Sequence, residues 1–160
     1  MRKAVVLLLV LFSMVGCQKK ETVSQAAPTP LADSAGDYLQ DGRAKLLKGD
    51  VLRAVRIFQE AVERNPKDSR AYFVLGETFM RLHQYDKAIE SFSTVTQLED
   101  TNGHAYLLLG GCYDLEGDHE KAVDSVKKSV EIFRQKRDAV NFKAAAAVLQ
   151  RLLETKTATQ

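Results

Sequence analysis

The sequence predicts an all-α protein, an α-solenoid of three helix hairpins plus a C-terminal capping helix. Three observations predict it. First, Tyr38, Gly42, Ala54, Phe58 and Ala61 recur 34 residues on as Tyr72, Gly76, Ala88, Phe92 and Val95, and again as Tyr106, Gly110, Ala122, Val126 and Val130. Second, apolar residues between these positions fall at helical spacing, with turn residues at matching places. Third, a last apolar stripe follows Arg137 and falls outside the repeat. A period between 20 and 50 residues marks stacked supersecondary units, none of which can bury its apolar face alone.

The first element is a candidate targeting segment. Arg2 and Lys3 precede an apolar run, 4–15, that is shorter than the roughly 20 apolar residues a membrane-spanning helix needs. A charged start, a short apolar core and a small-residue end describe a secretory signal at residues 1–16. Met14-Val15-Gly16-Cys17 resembles the lipobox of bacterial lipoproteins, with Met14 where that family usually has Leu. The resemblance implies cleavage before Cys17 and lipidation of its thiol and new amino group, with palmitate-like chains as the membrane anchor. More than one acyl chain gives stable anchoring, at about 0.8 kcal/mol per buried CH₂. Gln18 stands where Asp would signal inner-membrane retention, so the resemblance favours the outer membrane, facing the periplasm. An ordinary cleaved signal and an uncleaved hydrophobic anchor are the alternatives.

Residues 17–35 comprise the lipidated Cys and a linker. They are polar and small, include Pro28 and Pro30, and show no apolar periodicity. A flexible chain of this length spans roughly 20–25 Å.

The solenoid occupies 36–136, with repeats at 36–66, 69–100 and 103–136. In the first, Tyr38, Leu39, Gly42, Leu46 and Leu47 predict a helix over 37–48. Gly49-Asp50 ends it and caps the next, 51–64, which stops before Pro66 because the residue preceding proline avoids helical torsions. The second repeat predicts helices over 69–82 and 85–98 about a turn at His83-Gln84. The third predicts a helix over 103–116, a turn at Gly117-Asp118, and a helix resuming at His119 or Glu120. Glycine inside a helix costs about 0.5–1 kcal/mol relative to alanine, so Gly42, Gly76 and Gly110 imply a compensating close approach between helices. The aromatics Tyr38, Tyr72, Tyr106, Phe58 and Phe92 are predicted to fill the space between helices.

These residues resemble the tetratricopeptide repeat (TPR) family. Its signature has an aromatic, Leu-Gly and Tyr, then Ala, an aromatic, Ala and Pro at fixed offsets. The second repeat matches best, with Tyr72, Leu75-Gly76, Phe79, Tyr85, Ala88 and Phe92. The first carries Asp41 and Lys45 in place of the expected Leu and Tyr, and the third carries Val126 and Val130 for the second aromatic and Ala. The resemblance implies three TPR hairpins.

Residues 137–156 form the expected capping helix. Val140, Ala144, Ala145, Val148, Leu149, Leu152 and Leu153 make an apolar stripe with charges elsewhere, and the Ala144–Ala147 run favours helix. Such a helix covers the last exposed face of a repeat array. An incomplete fourth repeat is the alternative. Residues 157–160 read as a tail.

Charge and composition exclude several functions. Lys and Arg number 23 against 21 Asp and Glu, and the excess equals the signal's Arg2 and Lys3. A neutral mature chain gives no electrostatic basis for nucleic-acid binding. Of two cysteines, Cys17 is assigned to the lipid, which leaves Cys112 unable to form a disulfide framework. Cys112 reads as a buried small hydrophobe without a neighbouring base. His83, His104 and His119 share no metal-ligand spacing with Cys or carboxylates, and Asp118-His119-Glu120 reads as a solvated turn. No phosphate-binding glycine loop or nucleophile elbow is present. The sequence therefore predicts a non-enzyme with no cofactor, no metal and no small-molecule substrate.

By TPR resemblance, the first helix of each pair lines a concave groove that takes a protein or peptide segment. The matching residues are Leu39, Arg43 and Leu46; Arg70, Phe73, Glu77, Met80 and Arg81; and His104, Leu107, Gly111 and Asp114. The set that clamps acidic chaperone tails in some TPR domains is absent, since Leu39, Arg43, Val74, His104 and Leu108 stand at its positions. Gly111 reads equally as a notch for a partner side chain and as an unselected surface position. The resemblance to small tethered TPR lipoproteins implies a scaffold for an outer-membrane or periplasmic complex, with type IV pilus or secretin assembly as the concrete version. A regulatory adaptor of peptidoglycan hydrolases or envelope proteases, and an enzyme acting on peptidoglycan, are the alternatives.

Overall fold

The computed structural model describes residues 35–158. Cys17, the candidate signal and the linker before residue 35 lie outside the described residues. Seven helices follow in order: α1 (Ala35–Leu47), α2 (Val51–Arg64), α3 (Ser69–Arg81), α4 (Tyr85–Leu98), α5 (Gly103–Leu115), α6 (His119–Gln135) and α7 (Ala139–Ala158). Each packs against the next along the chain, so the pairs α1–α2, α3–α4 and α5–α6 form successive hairpins of an α-solenoid. The predicted helices start and stop within a few residues of these bounds. The differences reach two residues, at α1, which starts before the expected 37, and at α7, which continues through residues 157 and 158 of the expected tail.

Local chemistry sets these bounds. In α2 the buried residues Ala54, Ile57, Phe58 and Ala61 share one face at helical spacing. Asp50 accepts a hydrogen bond from the Arg53 N–H and Asp118 one from Lys121, each satisfying an orphan donor at a helix start. Asp68 and Asn102 do the same for α3 and α5. Inside the hairpins the chain reverses through a left-handed residue: Gly49 at φ 77°, His83 at 56° and Gly117 at 83°. In each, the following N–H reaches back five residues, as Asp50 to Lys45 O at 2.9 Å, Gln84 to Phe79 O at 3.0 Å and Asp118 to Tyr113 O at 2.8 Å. Turns between hairpins are built differently, with Asn65 and Glu99 leaving the helix at φ −135° and −137° and ψ 83° and 82°, without a left-handed residue.

The joint between α6 and α7 is of the hairpin kind. Arg137 takes φ 54° and the Asp138 N–H bonds Phe133 O at 2.9 Å. Thus α7 folds back onto α6 through a turn like those inside the hairpins, unlike the joints at Asn65 and Glu99 that open a new repeat. Leu152 is buried with Ala122, Val123 and Val126, and Val148 and Leu149 pack beside them.

The repeat glycines have a specific partner. Side-chain carbons added at Gly42 and Gly76 would run into the rings of Phe58 and Phe92, in the second case at 2.9 Å. Both rings are wholly buried. In the third hairpin Val126 stands in place of these aromatics, and the space above Gly110 is closed by Val126 and the Ala122 carbonyl. The first hairpin departs from the signature at Asp41 and Lys45, and these two pair with each other across one helical turn at 3.7 Å.

Candidate partner-binding groove

Helices α1, α3 and α5 hold equivalent places in their hairpins, so residues 34 apart form rows along the stack. One row is Arg43, Glu77 and Gly111. The next, one turn closer to the helix ends, is Leu47, Arg81 and Leu115. Arg43, Glu77 and Arg81 are all exposed, and both arginines lie near enough to act electrostatically on Glu77. Desolvation by its surroundings raises the Glu77 carboxyl above its ordinary value, against the opposing pull of Arg81 and then Arg43. Gly111 is open: a side-chain carbon there would have nothing within 4 Å.

The other groove candidates are placed differently, and one is a correction. Leu39 is only 8% exposed and belongs to the core with Ile57 and Phe58, so it cannot line a surface. It lies beside Tyr38 on the apolar stripe of α1, and the stripe is wide enough to bury both. Arg70 turns back to Asp68, donating from Nε at 3.0 Å and from a terminal nitrogen at 2.9 Å. That pairing holds the Asp68 carboxyl below its usual range. His104 sets its ring edge-to-face on Phe133, with centroids 5.0 Å apart. Arg70 therefore faces the joint that precedes α3, and His104 faces the end of α6. Asp114 lies 2.7 Å from His119 Nδ1 and so meets the α5–α6 turn. Phe73 is half-buried edge-on to Phe92, and Leu107 packs against the cluster of α6 and α7 residues. Leu46 and Met80 are half-buried against the main core.

Leu47 and Leu115, which the resemblance did not select, are 90% and 58% exposed. The signal for them was in the sequence: they share the repeat position of Arg81. Sequence reading also missed the bond between the start of α3 and the end of α4, where the Ser69 hydroxyl donates to the Glu99 carboxylate and lowers its pKa. Nothing in helical periodicity pairs two residues 30 apart.

No group of three His, Cys, Asp or Glu among the described residues is placed to hold a metal ion. Cys112 is fully buried, and desolvation pushes its thiol up to about 11, so it stays protonated and weakly nucleophilic at neutral pH. Among the described residues no helix is long and apolar enough to cross a membrane.

The chain belongs to the tetratricopeptide repeat family, whose repeat model matches residues 39–98 and 77–137. Arrays of this repeat are protein-interaction modules. Among curated relatives, BBSome complex member BBS4 of Bos taurus is 32% identical over 90 residues, which cover 56% of this chain and 17% of that protein. The mouse form is 33% identical over 99 residues, covering 61% of this chain and 18% of that protein. The chain thus spans under a fifth of these relatives' length. Among solved structures, the Yersinia enterocolitica type III secretion translocator chaperone SycD superposes with a TM-score of 0.73 at 19% identity, covering 78% of this chain and 87% of SycD. A second SycD structure, in complex with a peptide of the translocator YopD, gives 0.72 at 19% identity over 78% and 96%. The TPR2B domain of yeast Sti1, in its pHsp70 complex, gives 0.70 at 15% identity over 76% and 97%. At these identities the likeness is one of fold.

Proposed function

We propose that this protein is a non-catalytic adaptor that holds a segment of another polypeptide across α1, α3 and α5. In this reading it is lipid-anchored through Cys17 in a bacterial envelope, at the outer membrane facing the periplasm, and serves assembly of an envelope complex such as a pilus secretin. The observation that carries the groove is the exposed pair of rows, in which Arg43, Glu77 and Arg81 stand beside Leu47, Leu115 and the open position at Gly111. Mixed charge beside apolar anchors suits an extended or helical segment. The SycD and Sti1 structures, which hold peptides on the same fold, support that use. The anchor rests on the Met14-to-Cys17 sequence alone.

A photo-crosslinking residue at Met80, compared with one at exposed Glu90 on α4, tests the groove in cells. Selective capture of a polypeptide at Met80 is expected. Equal capture at both sites, or none, refutes the groove. Recovery of a secretin supports the assembly role, whereas recovery of peptidoglycan hydrolases or proteases moves the adaptor to those partners. Labelling with an alkyne fatty acid is expected for the wild type and absent in Cys17→Ala; label retained in the variant removes Cys17 as the anchor.

A further inference from the structure

The two rows form a small grid of charge and apolar surface. In the row of Leu47, Arg81 and Leu115, a cation stands between two leucines that are 90% and 58% exposed. Isolated exposed leucines are ordinary on protein surfaces. These two share one repeat position and flank one arginine, so along the stack the surface reads apolar, cation, apolar. In the neighbouring row Glu77 feels both Arg81 and Arg43. These two rows thus hold one carboxylate and two guanidiniums, and among the described residues no carboxylate lies within 4.0 Å of either arginine. Within these two rows one positive charge is left over, since the groove's other carboxylate, Asp114, turns to His119. Beside it, Gly111 leaves room for an incoming chain to approach α5.

Resting on the groove reading, we infer that the bound segment carries a carboxylate between two apolar residues. The carboxylate lies against Arg81 and Arg43, and the apolar residues lie against Leu47 and Leu115. Spacing follows from helix packing. Helices in direct contact lie about 8–10 Å apart, and α1, α3 and α5 are interleaved with α2 and α4, so one step along a row is at least that long. An extended chain rises about 3.3 Å per residue, so each step takes three residues or more. The partner motif is therefore Leu-x-x-Glu-x-x-Leu or a slightly longer version.

Fluorescein-labelled synthetic peptides test this against the full chain by fluorescence anisotropy. Leu, Glu and Leu are separated by two, three or four Ser/Ala residues, and companion peptides carry Gln or Lys for Glu. Affinity is expected to fall from Glu to Gln to Lys by about three- to fivefold per step, the scale of a solvent-accessible ion pair. Arg81→Glu is expected to invert that order, and Arg43→Glu to shift it in the same direction. Leu47→Ser and Leu115→Ser should weaken all three peptides alike while keeping the order. Equal binding of the three peptides, an order unmoved in Arg81→Glu, or no binding by any peptide overturns the inference. Capture at Met80 in cells alongside such a result leaves the groove standing and removes only its charge preference.

Discussion

Gly110 and Gly111 are neighbours in α5, share the same backbone conformation, and face opposite surroundings. A side-chain carbon at Gly110 would lie 2.5 Å from a Val126 methyl and 2.9 Å from the Ala122 carbonyl oxygen, whereas at Gly111 nothing lies within 4 Å. Alanine in place of glycine within a helix gains about 0.5–1 kcal/mol from backbone entropy and propensity, and that gain is common to both sites. At Gly111 nothing opposes it, so Gly111→Ala should stabilise by about 0.5–1 kcal/mol. At Gly110 the added methyl meets a wholly buried Val126 and a backbone carbonyl held in the α6 ladder, neither of which can swing aside. Overpacking of that kind costs about 1–3 kcal/mol. Because the backbone gain cancels between the two variants, their difference isolates the steric cost, with Gly110→Ala less stable than Gly111→Ala by about 1–3 kcal/mol. Urea unfolding followed by far-ultraviolet circular dichroism measures it, with unchanged m-values as the check that the repeats still unfold together. Equal stability of the two variants would refute the claim that Gly110 is a contact position and Gly111 an open one.

Two further outcomes test other parts of the structure. Arg137 is exposed and holds a left-handed φ of 54° at the joint between α6 and α7, so Arg137→Gly should stabilise by about 0.5–1 kcal/mol in the same assay; a loss of stability would mean its side chain contributes at that joint. For Cys112, burial raises the thiol from 9.0 to about 11, so the folded state keeps a proton that the unfolded chain releases first. The stabilisation is therefore fully present below pH 9 and is lost as pH rises toward 11, by about 2–3 kcal/mol. Cys112→Ala should remove that part of the slope, and parallel wild-type and variant profiles from pH 8 to 11 would contradict the burial of the thiol.

The groove was only partly legible in the sequence because family offsets specify a backbone position and leave the rotamer open. Arg70 and His104 sit at such offsets, yet each finds a nearer partner at a joint: Asp68 two residues back for Arg70, and the Phe133 ring for His104. The Phe133 contact depends on α6 being longer than α4, which brings an aromatic over the start of α5. Asp114 likewise meets His119 because the hairpin turn brings α6 back beside α5.

By itself the sequence determined the helices, their order and their hairpins. The recurrence of Tyr38 as Tyr72 and of Phe58 as Phe92 sets the repeat, while the helical spacing of Tyr38, Leu39, Gly42 and Leu46, the cap at Asp50 and the turn at Gly117-Asp118 are local signals that act within a few residues of where they are written. Only the tertiary structure decided that Leu39 is core, that Gly111 is open while Gly110 is closed, that Ser69 reaches Glu99, and that α7 folds back through a hairpin turn at Arg137. The physical reason is that a helix's pattern states which of its faces is apolar. Which neighbour covers that face, and how closely, is settled only when the hairpins stack and their side chains compete for the same space.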